Sequence, residues 1–328
     1  MQVRATRRGL PLTELGMGAA QLGNLYRETT DEQAAGAVGA AWGAGIRYFD
    51  TAPHYGLGLS ERRLGLLLAT HPRDEYVVST KVGRLLVDSP ELAERTDDQG
   101  FAVPAYSRRV WDFSRDGILR SFEASLKRTG LDSIDIAYLH DPDDHLEQAL
   151  GEGIQTLIEL RDQGVVRAVG AGMNQSEALA SLIRVADVDL VMLAGRYTLL
   201  EQSAADDLLP LALEHGVGVV IAGVYNTGLL SSPRPAADAK YNYEAAPTEL
   251  IARANAIADV CERHGVTLPE AALAFPLLHP AVISVVVGVR DERQMTSNVE
   301  RYSATISPAL WSDLRAASLV PDSIQPHA

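Results

Sequence analysis

The chain has a single cysteine among its 328 residues. One thiol excludes an internal disulfide and any multi-cysteine metal centre. Cys261 falls on the apolar side of an expected helix, in IADVCERHG, and reads as a buried core thiol. Positive charge is also short. The 29 Lys and Arg stand against 43 Asp and Glu, giving a net charge of -14 and a pI near 5.0. Such a balance argues against nucleic acid or an anionic membrane surface as partner. No apolar run approaches the ~20 residues of a transmembrane helix. The arginines of MQVRATRRGLPL precede no apolar run of a secretory signal, so the expected location is the cytoplasm. Repeats, low-complexity tracts and linkers are absent, and 46% hydrophobic residues are ample for one core, so residues 1–328 read as one domain. Nor does a G-x-G-x-x-G follow a strand. GLGLSE fails at its third glycine, and Gly170-Ala171-Gly172 leads into Met-Asn-Gln, which argues against a Rossmann nucleotide site.

What is present is a regular alternation. Residues 1–11 read as a hairpin or arm. Strands are expected at 12–20, 48–52, 75–83, 133–141, 166–174, 189–197, 217–226 and 283–289. Helices are expected at 31–45, from Ser60 to about Thr70, and at 114–130, 145–164, 176–186 and 204–216. Further helices are expected at 248–265, 268–280, 291–302 and 307–317, before a short polar tail. The strands are continuous apolar runs, as in a parallel sheet buried on both faces. Eight such units imply an α/β fold, a (β/α)8 TIM barrel with an N-terminal hairpin and extra C-terminal helices. Ser60 suits an N-cap, with Glu61, Arg62 and Arg63 in the first turn of a surface helix. Residues 84–113 are long and irregular, as lids and binding loops often are.

Chemistry gathers at the strand ends. Asp50 closes the second strand and Tyr55 follows it; Lys81 ends the third strand and His140 the fourth. In a barrel these ends are neighbours at the face where active sites are built. A free Tyr, with a pKa near 10, is a poor base at neutral pH. A nearby ammonium favours the phenolate, and a carboxylate compensates the buried ammonium. A His opposite can donate to a substrate oxygen. Singly, each residue has a plainer explanation: Asp50 as a turn cap, Tyr55 as loop packing, His140 as a core histidine. Lys81 reads as a surface lysine or as the Schiff-base lysine of an aldolase-type barrel. Together at consecutive strand ends they make a proton-transfer site. HDPDDH (140–145) reads as a turn and an acidic helix start rather than a metal site.

With FDTAPHYG (49–56), ERRLG (61–65), STKVG (79–83), DIAYLHD (135–141), AGMN (171–174) and GVRDERQMTSNVE (288–300) in this order and spacing, the chain resembles the aldo-keto reductases over nearly its whole length. The resemblance implies a catalytic tetrad of Asp50, Tyr55, Lys81 and His140, with Tyr55 as general acid/base for hydride transfer involving a nicotinamide. It implies a cofactor lying across the barrel mouth. Its contacts would come from Ala19, Ala20, Asp50, Asn174, Ala222, Gly223, Val224, Asn226, Gly228, Leu230, Gly288, Val289, Arg290, Gln294 and Asn298. The wording around FAVPAYSRRVWDFSRDGILRS and YLHDPDDH is most similar to bacterial dehydrogenases acting at C1 of L-fucose or D-threo-aldoses. The alternatives are a pyridoxal 4-dehydrogenase, an NADPH-dependent aldehyde or ketone reductase and, more remotely, a non-catalytic redox-sensing regulatory subunit. His54, Tyr55, Tyr106, Trp111 and His140 are the candidate substrate contacts. Met173, Ala194 and Ala222 depart from the family's usual serine, glutamine and stacking aromatic, and Tyr225 is the replacement aromatic. Gly288 and Gln294 stand where NADP-preferring members carry Lys and Arg. Their absence favours NAD over NADP, with Arg290 and Arg293 as other cations near a 2′-phosphate. The expected partner is a small sugar, alcohol or aldehyde, met by a monomer or homodimer.

Overall fold

The computed structural model describes residues 1–241 and 244–321. Among them, eight parallel strands close into a barrel. In chain order these are β1 (Leu15–Gly18), β2 (Tyr48–Asp50), β3 (Val77–Val82), β4 (Ile136–His140), β5 (Ala168–Met173), β6 (Leu190–Ala194), β7 (Gly218–Ala222) and β8 (Val282–Gly288). Each strand pairs with its sequence neighbour, and β8 closes on β1. Helices α1 (Asp31–Gly43), α2 (Leu59–Leu68), α3 (Arg115–Thr129), α4 (Ile154–Asp162), α5 (Ser176–Val185) and α6 (Leu208–His215) follow β1 to β6 in turn. After β7 come α7 (Thr248–Arg263) and α8 (Leu268–Ala274), and after β8 come α9 (Glu292–Tyr302) and α10 (Pro308–Ala316). The polar tail expected after residue 317 lies outside the described residues from 322 onward.

The helix boundaries follow from local chemistry. Thr30 opens α1 with a capping box to Gln33, and Ser114 caps α3 by accepting from the Gly117 N–H. Gly130 closes α3 in a left-handed turn at φ 65. The core has two layers. Strand residues facing out pack under the helices, among them Phe49, Val78, Leu139 and Val169. Those facing in fill the barrel, including Tyr48, Ile136, Tyr138, Leu190 and Val286. Cys261 is fully buried on α7, and burial pushes its thiol up to about 12.

Four expectations change. The first strand divides: Pro11–Thr13 pairs with Val3–Ala5 as the second arm of the hairpin, and the barrel strand starts at Leu15. The segment 84–113 is not irregular throughout, because Arg84–Asp88 pairs antiparallel with Ser107–Trp111. The helix expected at 145–164 is broken by a wide turn over Ala149–Gly153, where Gly151 and Gly153 weaken an α-helix. Finally, α2 is capped by Gly58, not Ser60, and Glu61 is fully buried rather than on the surface. No helix among the described residues is long and apolar enough to cross a membrane.

Candidate active site at the barrel mouth

The strand period of two places Tyr48 and Asp50, Ser79 and Lys81, and Tyr138 and His140 on the inner face of adjacent strands. Their upper members meet at the mouth. Lys81 Nζ donates to Asp50 Oδ2 at 2.6 Å, to the Thr51 carbonyl at 3.1 Å and to the Tyr55 hydroxyl at 3.0 Å. All three ammonium donors are therefore committed. Ser79 donates to the other Asp50 oxygen at 2.7 Å, and Tyr48 and Tyr138 continue the hydroxyl chain below it. Tyr55 is positioned by a backbone crossing: a Cβ at Gly23 would lie 2.6 Å from the Tyr55 carbonyl, so only glycine allows this approach. Phe101 packs its ring 6.2 Å from that of Tyr55.

Burial alone would lower the Lys81 ammonium, but Asp50 and then Tyr55 outweigh it, and the group is held charged above its ordinary range. A charged lysine with every proton engaged is no Schiff-base nucleophile, and the aldolase alternative falls. Tyr55 runs against expectation. Burial pushes its hydroxyl up, and Lys81 only partly reverses this, so the net direction is upward. His140 is held well below the ordinary histidine range, by burial first and then by Arg84 and Lys81. His54 falls to about 2, through burial and then Arg109, Arg84 and Lys81. Both rings are thus neutral, with centroids 5.5 Å apart, and among the described residues the buried Nδ1 atom of each has no hydrogen-bond partner.

Two further ion pairs frame the mouth. Arg84 donates to Asp141 Oδ2 at 2.6 Å and spans the Trp111 ring at 5.4 Å. Arg109, paired with Asp97, donates to the His54 carbonyl at 2.9 Å. Trp111, opposite Arg84 in the hairpin, is at the barrel end of that ribbon. Tyr106 lies beyond the hairpin's other end and is 61% exposed, so it is not brought to the tetrad. In HDPDDH, Asp141 is taken by Arg84, and Asp143–His145 form a short 3-10 turn.

Beside the tetrad runs a groove of about 820 Å3. Of the expected cofactor contacts, Asn174, Gly223, Val224, Asn226, Gly228, Gly288, Gln294 and Asn298 line it. Ala19, Leu230 and Val289 are fully buried and outside the lining, as are half-buried Ala20 and Ala222. Asp50 faces Lys81 and Ser79 instead. Arg290 is also outside: its guanidinium is spent on the Leu25 and Arg27 carbonyls and Thr29 Oγ1. The Tyr225 hydroxyl donates to Asn298 Oδ1 at 2.7 Å, which anchors that ring toward α9. The groove suits an anionic dinucleotide. Arg196, Arg293 and Arg301 line it, together with glycine backbone at 195, 223 and 228. Gln21 Oε1 is a buried acceptor there with no partner among the described residues, and its amide occupies the space that a Cβ at Gly288 would need. The motif reading missed Gln21, Arg196, Ser231 and Arg301, which come from turns and helix faces that carry no local signature.

Residues 14–318 match the sequence profile of the aldo/keto reductase family. The chain is 49% identical over 320 residues to a D-threo-aldose 1-dehydrogenase of Pseudomonas sp, covering 97% of each chain. It is 39% identical to a pyridoxal 4-dehydrogenase of Microbacterium luteolum, covering 96% of each. Among solved structures it is similar to an aldo-keto reductase from Bacillus halodurans in its holo form. That likeness has a TM-score of 0.75 at 26% identity and covers 99% of this chain and 98% of that one.

Proposed function

The chain belongs to the aldo/keto reductase family, and from that premise we propose that it oxidises an aldose at C1 to the lactone, with Tyr55 as the proton-transferring group. It is an oxidoreductase of a family that uses NAD(P)(H). A dinucleotide held along the groove by residues such as Asn174, Arg196, Gln294 and Asn298 would supply the hydride acceptor. The observation that carries the reaction is the Tyr55 hydroxyl, 3.0 Å from the Lys81 ammonium, with its ring 5.9 Å from that of a neutral His140. In this reading His140 donates to the C1 oxygen and steers it toward Tyr55. As hydride leaves C1, the hydroxyl proton passes to the Tyr55 phenolate and the C1–O bond becomes a carbonyl. Lys81 stabilises the phenolate, and Asp50, oriented by Ser79, keeps Lys81 in place.

The substrate class rests on the 49% identity to a D-threo-aldose dehydrogenase. The electrostatics of the mouth support an uncharged substrate. Its cations Lys81, Arg84 and Arg109 are each matched by one carboxylate, Asp50, Asp141 and Asp97. A phosphorylated or carboxylated sugar finds no surplus charge there. NAD is favoured over NADP. Gly288 and Gln294 offer no cation, Arg290 is engaged elsewhere, and Arg293 borders an acidic cleft of Glu32, Asp291, Glu292 and Glu300. A 2′-phosphate is poorly served by that wall.

Absorbance of the reduced nicotinamide, followed with NAD or NADP against L-fucose, D-arabinose, D-galactose and pyridoxal, tests this. NAD-dependent turnover of a sugar is expected, with a loss of at least about 100-fold in Tyr55→Phe. Because Tyr55 is held above its ordinary range and oxidation needs its phenolate, the oxidative rate should climb with pH from neutral into the alkaline range. Reduction, which needs the phenol, should stay level over the same span. Turnover of pyridoxal alone would move the substrate, and wild-type rates in Tyr55→Phe would sink the mechanism.

A further inference from the structure

Asp141 is a mouth residue that the proton transfer does not use. It follows His140 directly, and its backbone is left-handed, at φ 37. Aspartate is among the few residues that adopt this conformation, and such positions cluster where function requires them. The Asp141 N–H is held by the Gly172 carbonyl at 3.0 Å, and the carboxylate is held by Arg84. The same guanidinium reaches the His140 carbonyl at 3.3 Å, so one cation fixes both residues. Among the described residues Asp141 Oδ1 accepts no hydrogen bond, and the side chain is 30% exposed. Oδ2 lies 3.6 Å from His140 Nε2. That is too long for a hydrogen bond, which leaves His140 Nε2 and Asp141 Oδ1 available to a ligand.

We propose that Asp141, held by Arg84, is a specificity-determining residue that reads the hydroxyl on the carbon next to the reacting one. The inference rests on the reading of His140 and Tyr55 as the pair that meets the reacting oxygen. An oxygen bonded to His140 Nε2 brings the hydroxyl of the adjacent carbon up to the neighbouring carboxylate. That hydroxyl donates to Asp141 and accepts from Arg84, and the paired groups match a function that both gives and takes a hydrogen bond. Trp111, under Arg84, offers an apolar face to the carbons beyond. A substrate lacking the hydroxyl leaves Oδ1 of a partly desolvated carboxylate without a hydrogen bond, which is a basis for rejection.

Steady-state kinetics with an aldose and its 2-deoxy analogue test this in wild type, Asp141→Asn, Asp141→Ala and Arg84→Gln. Wild type should favour the aldose in kcat/KM by at least about tenfold. Asp141→Ala should shrink that preference by at least about tenfold, mainly through KM for the aldose. Equal losses on both sugars, or an unchanged ratio, overturn the proposal. Circular dichroism and titration with the reduced dinucleotide check that each variant folds. The isosteric Asp141→Asn carries the test where Asp141→Ala does not fold. If wild type oxidises no aldose, the proposed function fails by itself. Reduction of 2-hydroxypropanal against propanal then puts the same question to Asp141, and the absence of a wild-type preference lost in the variant overturns the proposal there.

Discussion

His54 and His140 are neutral because the fold makes their protonation costly. Burial and the surrounding Arg84, Arg109 and Lys81 bring His54 down to about 2 and hold His140 well below its ordinary range. In the unfolded chain both titrate near 6.5. Below that pH the unfolded chain takes up protons that the folded chain refuses. Stability is therefore complete above about pH 6.5 and is lost progressively as pH falls toward the folded values, at up to about 1.4 kcal/mol per pH unit for each ring. Melting temperatures between pH 7.5 and pH 5, above the range where most carboxylates titrate, should fall in wild type. In His54→Gln the fall should be roughly half as steep. Identical slopes in the two proteins would count against the burial argument. The same neutrality leaves His140 able to donate from one ring nitrogen at any pH where the enzyme is folded.

At the scale of elements, α2 shows where sequence reading succeeds and where it stops. The convergence of Asp50, Lys81 and His140 was legible because each lies at the end of an apolar run, and strand ends of a parallel barrel share one face. Ser60 and Glu61 were not. Ser-Glu-Arg-Arg has the composition of an exposed helix start, but the partners that bury it are remote. Ser60 donates to the Ala19 carbonyl at 2.7 Å. Glu61 accepts from Thr80 Oγ1 on β3 and from Arg128 on α3, 67 residues away in the chain. The antiparallel ribbon within 84–113 was hidden for the same reason, since its register depends on pairing across a long loop rather than on local alternation. Removing Glu61 leaves a largely buried guanidinium uncompensated, and breaking such a pair costs about 3–5 kcal/mol. Glu61→Ala should lower stability by that order, and Arg128→Met in the same chain should recover part of it. Denaturant unfolding of the four proteins of this cycle measures the coupling. Additive losses would mean that the pair contributes nothing specific to joining α2 and α3.

The whole molecule separates chemistry from closure by placing them at opposite ends of one barrel. The mouth sits at the strands' C-terminal ends, while the N-terminal hairpin covers the other end. Leu10 and Leu12 are buried against Tyr48, Ile136, Leu190 and Ile283, so the hairpin seals the inner core from below. Its arginines fasten it there. Arg4 reaches Glu14 at 2.6 Å and the carbonyl of Val282, the first residue of β8, at 2.7 Å. Arg8 pairs with fully buried Asp189, which also binds Arg161 and the Val169 N–H. Leu12→Ala would open a cavity at this end at a cost of about 2–5 kcal/mol, because the close-packed barrel wall cannot collapse into it. The melting temperature should drop by several degrees, while KM for substrate and dinucleotide stays within about twofold of wild type at temperatures where the variant is folded. Loss of substrate affinity without loss of stability would contradict that separation. It would mean that the hydroxyl chain from Tyr138 and Tyr48 through Ser79 to Asp50 transmits packing at the base of the barrel to the tetrad above.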